Sequence, residues 1–269
     1  MKKHISTIVF ALIFLVGLAV MLYPTVSDYV NSKHQTQAVA AYQEAVSDMT
    51  EEDYVKIFAA AEEYNQKLAK TPEAFYDPSL IGEDYEEILD VTGTGIMGVV
   101  SIPKINVELP IYHGTEDSVL QVGAGHLQGT SFPVGGASTH SVICGHRGLP
   151  SSTLFTHLDR LEKGDTFSIT ILNRTMTYKV DLISIVEPDE VDKLQIEDGE
   201  DYCTLQTCTP YGINIQRLLV RGTRIAEDAP ESVRITADAY QIEPIVIAPL
   251  VAVPIVLLLV LALFIWKKR

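Results

Sequence analysis

The sequence predicts a mainly β protein, in which a closed or nearly closed barrel follows a helical region and is flanked by two transmembrane helices. Short runs rich in β-branched residues begin at Gly95 and are separated by Gly, Pro and Asn, a pattern typical of barrels. Before them, apolar residues recur at helical spacing. Each end of the chain also contains a long run without charges.

The first uncharged run covers residues 5–23 and predicts an N-terminal membrane anchor within residues 1–23. At about 1.5 Å per residue, such a helix nearly spans the roughly 30 Å core of a bilayer. Lys2 and Lys3 precede the run and assign the N-terminus to the cytoplasm by the positive-inside rule. A cleaved signal peptide is the alternative, because Gly17-Leu18-Ala19 is a weak small-x-small site.

The second uncharged run covers residues 245–266 and predicts a C-terminal transmembrane anchor within residues 245–269, preceded by a linker at 229–244. Basic residues close the chain, so the C-terminus is also expected in the cytoplasm. We therefore expect a multi-pass cell-membrane protein whose middle portion lies outside the cell.

Composition limits the partners of this outer portion. The chain carries 35 acidic against 20 basic residues, and every acidic residue lies between the two uncharged runs. Such an excess of negative charge disfavours nucleic acid as a partner. The three cysteines are Cys144, Cys203 and Cys208, an odd number, so an exported chain keeps at least one thiol free or pairs it with another molecule.

Residues 24–94 are expected to form an extracellular helical stalk followed by a loop. Two helices are predicted, and Thr50 with Asp53 resembles a capping box at the start of the second. Its apolar stripe favours packing on the barrel, although a solvated spacer explains the same pattern. Residues 71–90 contain prolines, Gly82 and many acids, which indicates a long irregular loop.

The barrel is predicted within residues 95–228, with one short helix at 152–161. Seven strands are expected, at 97–102, 107–111, 141–144, 166–172, 176–186, 202–207 and 217–225.

Cys208 directly follows the predicted strand at 202–207, and Arg217 begins the next strand. A tight connection makes the two strands a hairpin, which holds a guanidinium near the sulfur. A neighbouring cation favours the nucleophilic thiolate, and an arginine also offers donors to a developing oxyanion. Proton transfer to a leaving amine suits a histidine, and His146 follows a predicted strand.

Three other residues have the same side-chain types as Arg217 and Cys208, namely Arg221, Cys203 and Cys144. Arg221 lies four residues after Arg217 and therefore points to the same face of a strand. It is the alternative to Arg217 as the arginine of the site. Cys203 is expected to face away from Cys208, as a small buried residue. Cys144 shares the facing of His146, which favours core packing, and a disulfide between Cys144 and Cys203 stays open.

A family resemblance rests on long motifs. The segment Thr204-Leu205-Gln206-Thr207-Cys208 resembles the signature of sortases. The residues that follow it, at 209–214 and 217–222, resemble the extension of that signature in the class C, pilus-building members. Upstream, the segments at 123–136 and 140–149 resemble the same class around its catalytic histidine.

The resemblance implies a sortase-type β-barrel and a cysteine transpeptidase. Cys208 would attack the Thr-Gly bond of a Leu-Pro-x-Thr-Gly-like sorting signal, His146 would transfer protons, and Arg217 would orient the substrate or bind the oxyanion. Thr207 and Thr209 flank the nucleophile and are expected to contact the substrate. In class C members the acceptor amine is a pilin lysine, so sorting-signal proteins and pilin subunits are the implied partners. No cofactor and no metal are expected.

Class C sortases also carry a lid with an Asp-Pro-aromatic motif. Asp77-Pro78 matches its beginning, but Ser79 stands where the aromatic residue is expected. Phe75 or Tyr76 is then the candidate for the ring, and we hypothesise that Asp77 pairs with Arg217 and gates access.

Two other functions compete with pilin polymerisation. A housekeeping sortase would use a peptidoglycan amine as the acceptor, whereas a non-catalytic scaffold would bind sorting signals without cleaving them. The three catalytic residue types disfavour the scaffold.

Overall fold

The computed structural model describes residues 2–82 and 84–225, with side chains from residue 10 onward. The predicted linker at 229–244 and the second uncharged run at 245–266 lie outside the described residues. Two long helices come first: α1 spans Lys2–Ser47 and α2 spans Glu51–Lys70.

Helix α1 continues without a break from the first uncharged run into the stalk, with Pro24 inside it. Its part from Phe10 to Ser47 is the one helix of the described residues that is long and apolar enough to cross a membrane. Helix α2 begins with the predicted capping box, because the Thr50 side chain accepts from the Asp53 backbone N–H and the Asp53 side chain accepts from the Thr50 backbone N–H.

Eight strands form a closed barrel in the order β1-β2-β3-β4-β7-β8-β6-β5. The pairs β2/β3 and β4/β7 are parallel, and the other pairs are antiparallel. A short helix, α3, spans Asp117–Leu120 between β2 and β3. The strands are β1 Ile96–Ile102, β2 Val107–His113, β3 Ala124–His126, β4 Thr139–Cys144, β5 Thr166–Ile171, β6 Arg174–Val186, β7 Asp201–Thr209 and β8 Gln216–Arg224.

All seven predicted strands are present, and the sequence prediction missed β3. This strand has only three residues, and a Cβ atom on its central Gly125 would lie 2.2 Å from the Gly114 carbonyl oxygen. The helix predicted at 152–161 is wrong. Leu154 has a φ of 40°, which interrupts a right-handed helix, and only a 3-10 turn at Leu158–Arg160 forms.

The loop predicted at 71–90 is ordered against the barrel. Ile81, Tyr85, Ile88 and Leu89 are buried in the main hydrophobic cluster. The Tyr85 hydroxyl donates to the His126 carbonyl oxygen, at 3.1 Å, in the barrel wall. Burial of each large apolar side chain contributes roughly 1.5–3 kcal/mol, so this segment is held by packing rather than by regular secondary structure.

Candidate active site

Cys208 and Arg217 face each other on neighbouring strands. They are directly opposite in the antiparallel pairing of β7 with β8. Cys203 and Leu205 of β7 are buried in the main cluster, so the alternating side chains of Cys208 and Arg217 lie on the outer face of the barrel. The predicted hairpin is therefore confirmed, and the sulfur and the guanidinium project from adjacent positions of one face.

His146 follows the end of β4, which runs parallel to β7. Because Cys144 lies opposite Gln206, the chain reaches the level of Cys208 two residues later, at His146. The His146 Nε2 atom lies 3.2 Å from Asp117 Oδ1, with the histidine side chain 26% exposed and the aspartate 76% exposed. Since a carboxylate accepts, Nε2 carries the proton of this bond and Nδ1 is the other ring nitrogen.

No hydrogen bond links Cys208, His146 and Arg217 to one another in the described part of the chain. Cys208 is half-buried. Arg217 Nη1 donates to the carbonyl oxygens of Asn214 and Gln216, at 3.5 and 3.2 Å. These bonds leave Arg217 Nε and Nη2 without a partner among the described residues, so the guanidinium retains donors for a bound molecule.

Asp117 is a site residue that the sequence prediction missed. It begins α3, far from His146 along the chain, and no spacing rule connects the two. The only local signal is an acidic residue in the first turn of a helix, which is common wherever a helix starts.

Comparisons with known proteins identify the family. A sequence profile of the sortase domain matches residues 100–225. The crystal structure of sortase C1 from Streptococcus agalactiae is 50% identical, and the match covers 71% of this chain and 100% of that chain at a TM-score of 0.66. The chain belongs to the class C sortase family.

Two further relatives are also sortases, and one of them is a sortase C. Sortase C of Clostridium perfringens, solved with the C-terminal cell wall sorting motif, is 40% identical, and the match covers 71% of this chain and 100% of that chain at a TM-score of 0.62. Sortase D of Bacillus subtilis is 31% identical over 131 residues, 48% of this chain and 63% of that relative, so the chain spans less than two thirds of its length. Sortases are cysteine transpeptidases of the Gram-positive cell surface.

The other two thiols of this sortase are buried, whereas Cys208 is only half-buried. Burial raises the pKa of the Cys144 thiol to about 12, although Arg217 acts in the opposite direction. Burial also raises the pKa of Cys203. All three cysteines are free, and a bridge between Cys144 and Cys203 does not form because they lie on opposite faces of their strands.

Arg221, the competitor of Arg217, is tied into a separate cluster. It lies opposite Thr204, four residues along β8 from Arg217. Its guanidinium contacts Asp181 at 2.6 Å and Glu197 at 3.1 Å. It also stacks 4.0 Å from the centre of the Tyr202 ring. Its charge is already neutralised by the barrel surface itself.

An apolar floor extends from the Cys208 region along the outer face. The five buried residues of this floor are Val142, Cys144, Val186, Leu194 and Leu219. Phe75, from the segment between α2 and β1, packs on the floor. The neighbouring Tyr76 is 72% exposed. Phe75 is therefore the ring that this segment lays on the outer face.

Asp77 does not contact Arg217 in the described part of the chain. Its carboxylate accepts from the Ser79 hydroxyl at 2.6 Å and from the Ser79 backbone N–H at 3.3 Å. It thereby caps the 3-10 turn Pro78–Leu80. The serine that replaces the expected aromatic residue thus binds the aspartate locally.

Thr207 and Thr209, the predicted substrate contacts, lie on the face of β7 opposite to Cys208. The Thr207 hydroxyl donates to the Gly145 carbonyl oxygen at 2.7 Å. The Thr209 hydroxyl accepts from Arg147 Nη1 at 3.1 Å. Both side chains are buried, because the period of two directs them away from the sulfur.

The acidic segment after β6 contains Glu187, Asp189, Glu190 and Asp192. Glu187 accepts a hydrogen bond from the Gln216 side chain at 2.8 Å. Within residues 2–82 and 84–225, no group of three or more His, Cys, Asp or Glu side chains is arranged to hold a metal ion.

Proposed function

We propose that this sortase cleaves a Leu-Pro-x-Thr-Gly-like sorting signal with Cys208 as nucleophile, His146 as proton-transfer group and Arg217 as oxyanion donor. The observation that carries the proposal is the direct pairing of Cys208 with Arg217 on one face of the barrel. The register of β4 with β7 brings His146 beside Cys208 on the neighbouring strand. Both Arg217 and His146 retain hydrogen-bonding capacity on that face.

The reaction proceeds through a thioester. The Cys208 thiolate adds to the threonine carbonyl carbon, and the oxyanion that forms accepts from the free N–H groups of Arg217. Collapse breaks the Thr-Gly bond, and protonated His146 gives its proton to the leaving glycine amine. An incoming amine then attacks the thioester, loses a proton to His146 and releases the Cys208 thiolate.

Asp117 fits this scheme as a positioning residue. By accepting from Nε2–H, it orients the imidazole and leaves Nδ1 as the nitrogen for proton transfer. The contact is exposed, so its contribution is modest, on the order of 1 kcal/mol.

The apolar floor suits the leucine and proline of a sorting signal. It consists mainly of aliphatic side chains, and it includes Cys144, which lies near the proposed nucleophile. Phe75 covers this floor and would have to leave before a peptide could bind. We therefore assign the lid function to Phe75, which ends the 3-10 turn Pro72–Phe75, while Asp77 and Pro78 begin the turn that follows it.

The lid assignment has a direct test. Phe75→Ala is expected to raise the initial rate of sorting-peptide cleavage and to lower KM, because the peptide no longer displaces a packed ring. Tyr76→Ala is the matched control, since Tyr76 is exposed, and it is expected to change neither quantity. Asp77→Ala should also raise the rate, because it removes the cap on the turn. Unchanged kinetics in both Phe75→Ala and Asp77→Ala would contradict a gate.

Helix α1 is proposed to anchor the enzyme, and residues 245–269 would supply a second anchor with both termini in the cytoplasm. No residue in the most hydrophobic window of α1 is buried against the rest of the protein, as expected for a lipid-facing helix. The barrel would then act outside the cell.

The proposed acceptor is a pilin lysine, which would make the enzyme a pilus polymerase. The likeness to class C enzymes supports this acceptor, whereas a housekeeping role would require a peptidoglycan amine. The deciding experiment incubates the full chain with a sorting-signal pilin, with and without its acceptor lysine. A covalent ladder that needs both that lysine and Cys208 supports polymerisation. Single conjugates to a peptidoglycan peptide would favour the housekeeping role, and no thioester product at all would reject the enzyme proposal.

A further inference from the structure

The connection between β7 and β8 is an exposed apolar tip. It covers residues 210–215 and contains no charged side chain. Tyr211, Ile213 and Ile215 are 61%, 64% and 62% exposed. Side chains of this size are normally scattered singly over a protein surface, so three within five residues need a partner.

Helix α1 sets the distance between this tip and the proposed bilayer. One part of the helix lies in the uncharged run, and a later part packs on the barrel. Asp28 accepts from the Thr153 backbone N–H at 2.6 Å, and Asn31 donates to the Ser151 carbonyl oxygen at 2.8 Å. Asp28 lies five residues after Tyr23, or about 7.5 Å along the helix. Since headgroups add about 5–7 Å on each side of the bilayer core, this contact lies at the outer edge of the headgroups.

A second contact fixes the orientation of the barrel. The Tyr42 hydroxyl accepts from the Leu172 backbone N–H at 2.9 Å, at the turn between β5 and β6. Tyr42 lies 19 residues after Tyr23, or about 28 Å along the helix. The β5–β6 turn is at the end of the barrel away from Cys208, because Val186, at the other end of β6, lies opposite Arg217.

The apolar tip belongs to the end near the membrane. The segment that contacts Asp28 and Asn31 follows His146, and the Tyr211 ring lies against Gly148 of the same segment: a Cβ atom on Gly148 would lie 3.1 Å from that ring. The barrel thus directs its Cys208 end, and with it the β7–β8 connection, toward the outer leaflet.

We propose that Tyr211, Ile213 and Ile215 insert into the headgroup and upper acyl region of the bilayer that holds α1. The inference rests on the proposed membrane span of α1. A tyrosine beside aliphatic side chains suits this interface. Because the tip is uncharged and the outer part of the chain is strongly acidic, the contact depends on apolar burial and not on attraction to anionic lipid. The sulfur of Cys208 is thereby held close to the membrane surface.

The test places single tryptophans in the full chain within phosphatidylcholine nanodiscs. The native tryptophan is first removed by Trp266→Phe. Ile213→Trp and Ile215→Trp probe the tip. Val55→Trp is the control for an exposed position on α2, far from the bilayer, and Phe10→Trp reports on the apolar part of α1. Quenching by lipids brominated along the acyl chain is measured for each variant, at low and high salt.

The proposal predicts that both tip probes emit at shorter wavelength and lose intensity with brominated lipid, at either salt concentration, whereas the Val55 probe does neither. Quenching at Phe10 together with tip probes that behave like the Val55 probe would overturn the inference and leave the membrane span intact. Absence of quenching at Phe10 would overturn both. Tip quenching that vanishes in high salt would reject the apolar mode of contact.

Discussion

The outer face of β4, β7 and β8 carries a histidine and an arginine at each of its two ends. The two pairs differ in how fully their side chains are hydrogen-bonded by the protein itself. At the far end, Arg221 binds Asp181 and Glu197, and His140 is buried between the Gln195 carbonyl and the Thr204 hydroxyl. At the Cys208 end, among the residues that the structure describes, Arg217 contacts only nearby carbonyl oxygens and His146 contacts one exposed carboxylate.

The difference teaches where chemistry can occur. A cation that is saturated by carboxylates stabilises the barrel but has little left to offer a substrate. A cation beside a half-exposed thiol keeps its donors for a transient oxyanion. Both ends have the same residue types on the same face of the strands. The number of hydrogen bonds already made to the protein therefore distinguishes the structural pair from the proposed catalytic pair.

The largest expected effect concerns the thiols. Cys208→Ala should abolish peptide cleavage and amine transfer while circular dichroism shows an intact fold. Cys144→Ala is the matched control on the same face, and it should retain transfer, because its buried thiol with a pKa of about 12 is not a nucleophile near neutral pH. Transfer by Cys208→Ala, or its loss in a folded Cys144→Ala, would remove the distinction between the two sulfurs.

Substitutions of the two arginines are expected to have different effects: one on activity and the other on stability. Arg217→Lys is expected to lower kcat by about 10²–10³, because a single ammonium replaces the forked donors to the oxyanion. Arg221→Lys should keep kcat near the native value and lower the melting temperature, since it weakens the contacts with Asp181 and Glu197. Steady-state kinetics and thermal unfolding of both variants provide the check. A reversed pattern would exchange the roles of the two ends.

The buried histidines should make the fold sensitive to acid. Burial lowers the pKa of His140 to about 4, below its ordinary value of 6.5. The folded state therefore holds fewer protons than the unfolded state below pH 6.5, and stability falls with pH toward 4. We expect a loss of about 2 kcal/mol for this histidine between pH 7 and 5.

Denaturant unfolding across that pH range measures the slope. In His140→Asn the slope should be smaller, even if the variant is less stable at pH 7, whereas an unchanged slope would show that His140 titrates alike in both states. His126, whose pKa burial lowers to about 3, contributes to the remaining slope in the same direction.

The smallest effect concerns the contact of Asp117 with His146. Asp117→Ala should lower kcat about fivefold, the equivalent of about 1 kcal/mol, with little change in KM. Asp117→Asn should recover part of the loss, because its amide oxygen still accepts from Nε2–H. Glu116→Ala removes the same charge one residue away and should leave kcat unchanged. Equal losses in Asp117→Ala and Glu116→Ala would point to general electrostatics and not to positioning.

Strand pattern and motif spacing predicted the barrel and the facing of Cys208, Arg217 and Cys203. These features depend on the period of two and on a tight hairpin, both of which are local properties of the sequence. The β3 strand and the absence of a helix at 152–161 were not predictable in this way, because they depend on a close approach to Gly114 and on the positive φ of Leu154.

Partners distant in sequence account for the other differences at the site. The contact of Asp117 with His146 and the placement of Phe75 on the apolar floor arise only when separate segments meet. Thr207 belongs to the signature motif and Thr209 to its extension, yet the facing of both residues directs their hydroxyls into the protein. The motif predicted which segments lie near Cys208. The alternation of side chains along the strand determines which of those residues face the site.

The most direct test of the account is the identity of the acylated residue. The full chain is incubated with a sorting-signal peptide in the absence of an acceptor amine, quenched with acid, digested and analysed by mass spectrometry. We expect the acyl fragment, cut after threonine, as a thioester on Cys208 and on neither Cys144 nor Cys203. A thioester on either of the other cysteines, or cleavage that leaves Cys208 unmodified at every time point, would contradict the account.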